Sequence, residues 1–264
     1  QPSLAGEARL SDGLVLMRAP RLLAEGVAGR MVFDGSRLEL LDFSGELNGG
    51  KVGLSGELTL SGARPTGGRV AFAGKGVGLE WPQDWRSELD LDLVYSVERR
   101  RQKLTGDVQV LRGGYRRNLI ITALAKQALQ AAPIDPALLA APSAFDRMQL
   151  DVRVRSSDEL VIDTNFGRAG LLLDLRSTGT YARPGLLGRV STEPGAEVYF
   201  GGLTYAVQSG VVSFSNADAV EPEIDASATV TIGTYITTRI VPRWTASRRR
   251  VSGEKGGPVI SACP

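Results

Sequence analysis

The stretch Lys51-Val52-Gly53-Leu54-Ser55-Gly56-Glu57-Leu58-Thr59-Leu60 decides the fold class. Val52, Leu54, Leu58 and Leu60 share the even positions with Gly56, while Lys51, Ser55, Glu57 and Thr59 fall on the odd ones. A period of two sends successive side chains to opposite faces, so this is a strand with one apolar and one wet face. The same alternation recurs outward along the chain. In residues 89–97, Leu89, Leu91, Leu93, Tyr95 and Val97 alternate with residues that include Asp90, Asp92 and Ser96. Met148, Leu150, Val152 and Val154 alternate with Gln149, Asp151, Arg153 and Arg155. Ile224, Ala226, Ala228, Val230 and Ile232 alternate with Asp225, Ser227, Thr229 and Thr231. Half-buried alternation marks antiparallel sheets; parallel α/β sheets show continuous apolar runs instead. The expectation is an all-β chain.

Turn signals divide these strands. Asn48-Gly49-Gly50, Gly67-Gly68, Arg112-Gly113-Gly114, Gly201-Gly202 and Ser209-Gly210 all read as turns. Glu98-Arg99-Arg100-Arg101-Gln102-Lys103 reads as a solvated hairpin loop. A loose unit also repeats, in Phe43-Ser44-Gly45-Glu46-Leu47, Leu54-Ser55-Gly56-Glu57-Leu58 and Leu104-Thr105-Gly106-Asp107-Val108. It favours a sheet of similar hairpins over a closed sandwich. One segment departs from the pattern. Ile121, Leu124, Ala125, Ala128 and Ala132 have helical spacing, and Pro133, Pro136 and Pro142 then end regular structure. An amphipathic helix is expected there, packed on a sheet edge or docked on a membrane or partner.

Composition narrows the chemistry. Glycine supplies 32 of the 264 residues with no Gly-X-Y period, so these glycines punctuate strands. The net charge of +2 is uneven: residues 242–264 carry +4, from Arg243, Arg248, Arg249, Arg250 and Lys255 against Glu254. The rest carries −2, which removes the support for nucleic-acid binding. There is no histidine, so a Ser-His-Asp triad is impossible. The one cysteine, Cys263, allows neither an internal disulfide framework nor a cysteine-based zinc site. No cofactor and no metal are expected. Gly74-Lys75-Gly76-Val77-Gly78 lacks the Gly-Lys-Ser/Thr ending of a phosphate loop and reads as a turn cluster. The carboxylates Asp90 with Asp92, and Glu221 with Glu223, are conceivable glycosidase pairs, but alternation puts them on a wet strand face. No run reaches ~18 apolar residues, the length of a membrane-spanning helix. The start lacks a signal peptide and already alternates, so it reads as mid-protein.

An ordered series of motifs resembles the TamB family, the translocation and assembly module subunit, in its C-terminal region. The first block is Arg69-Val70-Ala71-Phe72-Ala73-Gly74-Lys75-Gly76-Val77, Trp81-Pro82, Leu89-Asp90-Leu91-Asp92-Leu93 and residues 104–115. The second is Pro184-Gly185-Leu186-Leu187-Gly188-Arg189-Val190, Pro194-Gly195-Ala196-Glu197-Val198-Tyr199-Phe200-Gly201-Gly202, Gly210-Val211-Val212-Ser213-Phe214-Ser215-Asn216 and Glu221-Pro222-Glu223-Ile224-Asp225-Ala226-Ser227-Ala228. It covers about residues 43–240. The resemblance implies an elongated, curled antiparallel β-sheet forming an open hydrophobic groove, with one short helical insertion. Together with the pattern along the chain it divides the sequence into four regions: β-groove repeats over 1–117, a helical and proline-rich insertion over 118–145, a C-terminal TamB-like signature over 146–241, and an irregular basic tail over 242–264 that departs from the family. It also implies a periplasmic protein anchored to the inner membrane through an N-terminal segment missing here. Such a protein transports phospholipid to the outer membrane and works with a barrel partner of the TamA/BamA type. After Ile240 the family's further strands are replaced by the basic tail, which reads as a truncated or frame-shifted end.

The resemblance gives the apolar face a role. Each acyl CH₂ exposed to water costs ~0.8 kcal/mol, so two bare chains cost on the order of 20 kcal/mol. A continuous apolar strip removes most of that barrier and, without specific pockets, lets a lipid slide. The expected lining comes from five stretches of the chain. The first two supply Val52, Leu54, Leu58 and Leu60, then Leu89, Leu91 and Leu93. Later residues are Met148, Leu150, Val152 and Val154, then Leu171, Leu173 and Leu175, and finally Ile224, Val230 and Ile232. The rival readings are a sandwich core with no ligand, an assembly factor templating client strands, and a β-solenoid enzyme using the carboxylates.

Overall fold

The computed structural model describes residues 4–18, 21–62, 64–80, 84–99, 101–116, 145–157, 160–232 and 235–245. These residues form fifteen strands and no helix. Seven come before residue 117: β1 (Leu4–Arg18), β2 (Arg21–Gly35), β3 (Arg37–Leu47), β4 (Gly50–Ser61), β5 (Arg64–Glu80), β6 (Trp85–Glu98) and β7 (Arg101–Arg116). Then come β8 (Gln149–Ser156), β9 (Leu160–Thr164), β10 (Gly167–Thr180), β11 (Arg183–Thr192) and β12 (Glu197–Phe200). The last are β13 (Leu203–Asn216), β14 (Pro222–Ile232) and β15 (Tyr235–Thr245). The helix expected from residue 118 and the tail beyond Thr245 lie outside the described residues.

All fifteen strands join one curled sheet, so no sandwich forms among the described residues. Strand order follows chain order along thirteen lanes. Two lanes hold a broken strand each: β8 and β9 together fill the lane between β7 and β10, and β11 and β12 fill the lane between β10 and β13. Every lane pairs antiparallel with the next save at one junction. β7 runs parallel to β8 and β9, with Lys103 opposite Gln149 and Gly113 opposite Leu160. Parallel neighbours need a long connection, and β7 ends at Arg116 while β8 begins at Gln149.

Several turn expectations need correction. Asn48-Gly49 and Gly201-Gly202 do form two-residue hairpin turns with positive φ at both positions. Gly67-Gly68 instead lies inside β5, Gly113-Gly114 inside β7, and Ser209-Gly210 inside β13 beside a register shift. Gly74-Lys75-Gly76-Val77-Gly78 is strand too, carrying a bulge between Gly74 and Val77. In the charge run, Arg101, Gln102 and Lys103 already belong to β7, and Glu98 pairs with Arg101. Pro242, Arg243, Trp244 and Thr245 extend β15 and do not begin the tail. The register shift between Ile224 and Ala226 absorbs the missing proline N–H there. In each case a glycine or proline that reads as a stop is a bulge or kink within a long strand.

The burial pattern follows the alternation. In β4, Lys51, Ser55, Glu57 and Thr59 are exposed while Val52, Leu54, Leu58 and Leu60 are half-buried. Only ten apolar residues among those described are deeply buried, and they fall into local clusters. One cluster is Leu89, Val110 and Leu160, with Leu79, Trp85, Leu91 and Leu171 against it. Near the other end of the same strands lie Val70, Val97, Met148 and Val152. Val97 is 1% and Leu160 0% exposed. A single sheet reaches such burial by curling its apolar face inward.

Candidate apolar groove

Cross-strand register carries the apolar positions from lane to lane, because directly opposed residues share a face. One row runs through Gly45, Val52, Gly74, Leu91, Val108, Val154, Leu175, Gly188, Phe214 and Pro222, one residue from each of ten adjacent lanes. At a strand spacing of ~4.8 Å it extends about 43 Å. The next row contains Phe43, Leu54, Phe72, Leu93, Gly106, Val152, Ser177 and Leu186. A third contains Met31, Leu40, Gly56, Val70, Tyr95, Leu104 and Leu150. The strip therefore runs across the strands, and its side chains are mostly half-buried, not sealed.

The opposite face of the same lanes is charged. Asp90, Gln109, Arg155, Asp174, Arg189 and Ser213 oppose one another there. Asp151 Oδ1 accepts from Arg176 Nε at 2.7 Å and its Oδ2 from Lys103 Nζ at 3.1 Å. The Arg176 hydrogen bond, then the Lys103 one, holds its carboxyl below the usual range. Asp90 accepts from Lys75 Nζ at 2.8 Å and from the Gly76 backbone N–H at 2.9 Å, and these contacts lower its pKa too. Lys75 and Gly76 thus belong to a latched bulge. Asp92 is exposed on this same face, so Asp90 and Asp92 do not converge in a cleft. Two shallow surface depressions around Glu57 and Arg69 are also lined largely from the polar face.

Two devices bend the sheet. Asn48, at the tip of the β3–β4 hairpin, donates from Nδ2 to the Arg21 carbonyl at 3.2 Å and the Gly78 carbonyl at 2.6 Å. Its Oδ1 accepts from the Leu23 N–H at 2.8 Å. One amide nitrogen thus joins β2 to β5, which in a flat sheet would lie about 14 Å apart. The second device is glycine on the apolar face. Gly106 has φ 137°, and a Cβ there would be driven into the Asp92 carbonyl oxygen of β6. Glycine kinks of this kind curve a sheet.

The expected lining residues fall on this one face. Val52, Leu54, Leu58 and Leu60 lie on β4; Leu89, Leu91 and Leu93 on β6; Leu150, Val152 and Val154 on β8. Leu171, Leu173 and Leu175 lie on β10, Ile224 and Val230 on β14, and Met148 just before β8. Ile232 ends β14, and its side chain is outside the described residues. Val70 and Phe72 of β5, Leu104 and Val108 of β7, Leu160 of β9 and Phe214 of β13 lie on the same face and are not among the expected lining residues. Leu104, Gly106, Val108 and Val110 do alternate; β5 hides its pattern behind glycines and a bulge. Comparison with family models, with curated proteins and with solved structures returns no match for this chain.

Proposed function

We propose that this chain is part of a TamB-like, periplasm-spanning protein, anchored to the inner membrane by a segment outside this sequence, whose apolar strip carries phospholipid toward the outer membrane. The supporting observation is the row of opposed residues from Gly45 to Pro222, apolar across ten lanes and backed by a charged face. An acyl chain of ~20 Å covers four or five lanes, so it always rests on apolar contacts as it moves along the strip. The amphipathic sheet excludes water from the chains while its outer face stays wet. A barrel of the TamA/BamA type is the partner at the receiving membrane.

The test is photo-crosslinking from Leu54, Leu91, Leu93 and Val154 in the cell, with extraction of the crosslinked species. Phospholipid adducts at these four positions, and none from Asp92 or Arg155 on the other face, are expected. Leu93→Asp should abolish the adducts and the co-purifying lipid while the sheet remains folded. Crosslinks to protein clients alone would overturn the conduit.

One observation favours a second reading, an assembly factor that templates client strands. Among the described residues β1 pairs with β2 alone, and Leu14, Val15, Leu16 and Met17 along it are all exposed, Leu14 at 68%. An apolar unpaired edge accepts an added strand. Crosslinks to nascent outer-membrane proteins from Val15, with none to lipid from Leu91, would select it.

A further inference from the structure

Two polar side chains stand together on the strip near one edge. Tyr95 of β6 stands opposite Leu104, and Gln102 of β7 stands opposite Val97, so the two are diagonal neighbours on the apolar face. Val70 lies opposite Tyr95 in β5, and Leu150 opposite Leu104 in β8. The Phe145 ring meets Tyr95 edge-on, with centroids 6.3 Å apart. The Tyr95 hydroxyl and the Gln102 Oε1 are both buried and have no hydrogen-bond partner among the described residues. Buried polar atoms are rarely left unpaired, because each then keeps the full cost of losing water. Phenylalanine and leucine would fill the same space without that cost. Burial also pushes the Tyr95 phenol up, which keeps it a neutral donor. Both residues are half-buried as whole side chains while their two polar atoms are covered, so a molecule lying on the strip reaches those atoms once the side chains over them move aside.

We propose that Tyr95 and Gln102 form a polar station in the groove that holds the junction between the acyl chains and the headgroup of a phospholipid. The Tyr95 hydroxyl donates to an ester carbonyl, and Gln102 Oε1 accepts from a headgroup N–H. The chains then extend along the neighbouring Val, Leu and Phe rows. This rests on the lipid reading above and adds to it a preferred stopping point with a defined chemistry. A pure sliding surface would recognise acyl chains alone; the station recognises the ester and the ammonium.

The experiment compares four probes with identical fluorescent acyl tails: diester and dialkyl-ether phosphatidylethanolamine, and diester and dialkyl-ether phosphatidylcholine. Each is titrated against the full chain in detergent. The wild type should prefer diester over ether, and ethanolamine over choline, by about fivefold each, the worth of one hydrogen bond. Tyr95→Phe should lose the ester preference and keep the ethanolamine preference. Gln102→Leu should do the reverse. Neither substitution should lower the Tm, since each removes an unpaired buried atom. Equal affinity of the wild type for all four probes overturns the station and leaves the lipid reading standing. Retention of the ester preference by Tyr95→Phe also overturns the station. Binding of none of the four overturns both.

Discussion

At the scale of single residues, the curl depends on side chains that do not touch the strip. Asn48 supplies three side-chain hydrogen bonds to Arg21, Leu23 and Gly78 from a turn with φ 46°. Asn48→Gly keeps that backbone conformation and removes the bonds, so it should destabilise by about 1–3 kcal/mol in denaturant titration. Asn48→Ala should cost about 1 kcal/mol more, because alanine disfavours positive φ. Equal stability of the two variants would mean the turn conformation plays no part. Gly106→Val should do worse than either, since the Asp92 carbonyl cannot yield without breaking the β6–β7 ladder. The Asn48 turn was legible in the sequence from Asn-Gly alone. Its reach across to β5 was not, because no local pattern encodes which strands a hairpin tip will meet.

At the scale of elements, alternation revealed the strands and misplaced several of their ends. Gly67-Gly68 and Gly113-Gly114 read as turns because glycine serves turns and kinks alike, and only register distinguishes the two. The recurring unit around Gly45, Gly56 and Gly106 lies within β3, β4 and β7. Its glycine lies on the apolar face, and the acid next to it points the other way. Charged pairs on that other face stitch lanes together across the parallel junction. Asp151, 28% exposed at its side chain, joins β8 to β7 through Lys103 and to β10 through Arg176. Its folded-state pKa lies below the ordinary value. The stability it contributes is therefore full above the ordinary aspartate range and lost as pH falls through the lowered value. Asp151→Asn should cost about 0.5–1 kcal/mol at neutral pH. The gap between the thermal melts of the two proteins should begin to close below about pH 4 and vanish only below the lowered value. A constant gap between them down to pH 2 would assign the loss to packing instead of charge.

At the scale of the whole molecule, a sheet of thirteen lanes with no second layer among the described residues has neighbours to lean on and little else. Stability is then close to a sum over lanes and their interfaces, as in repeat proteins, and cooperativity is weak. The deep clusters are in the middle: Val97 and Leu89 on β6, Val110 on β7, Leu160 on β9. β1 lies at the rim, with four consecutive exposed apolar residues and a single partner strand. Local opening should therefore be graded along the sheet. In native-state hydrogen exchange, amides of β6, β7 and β9 should exchange roughly 100-fold or more slowly than those of β1. Denaturant titrations followed at different lanes should give different midpoints. A single exchange class shared by rim and centre would show instead that the curl closes into one cooperative unit, and the strip could not open lane by lane to admit a chain. The gradient is also what a conduit requires: a centre rigid enough to keep its rows aligned, and a rim loose enough to join the next stretch of sheet.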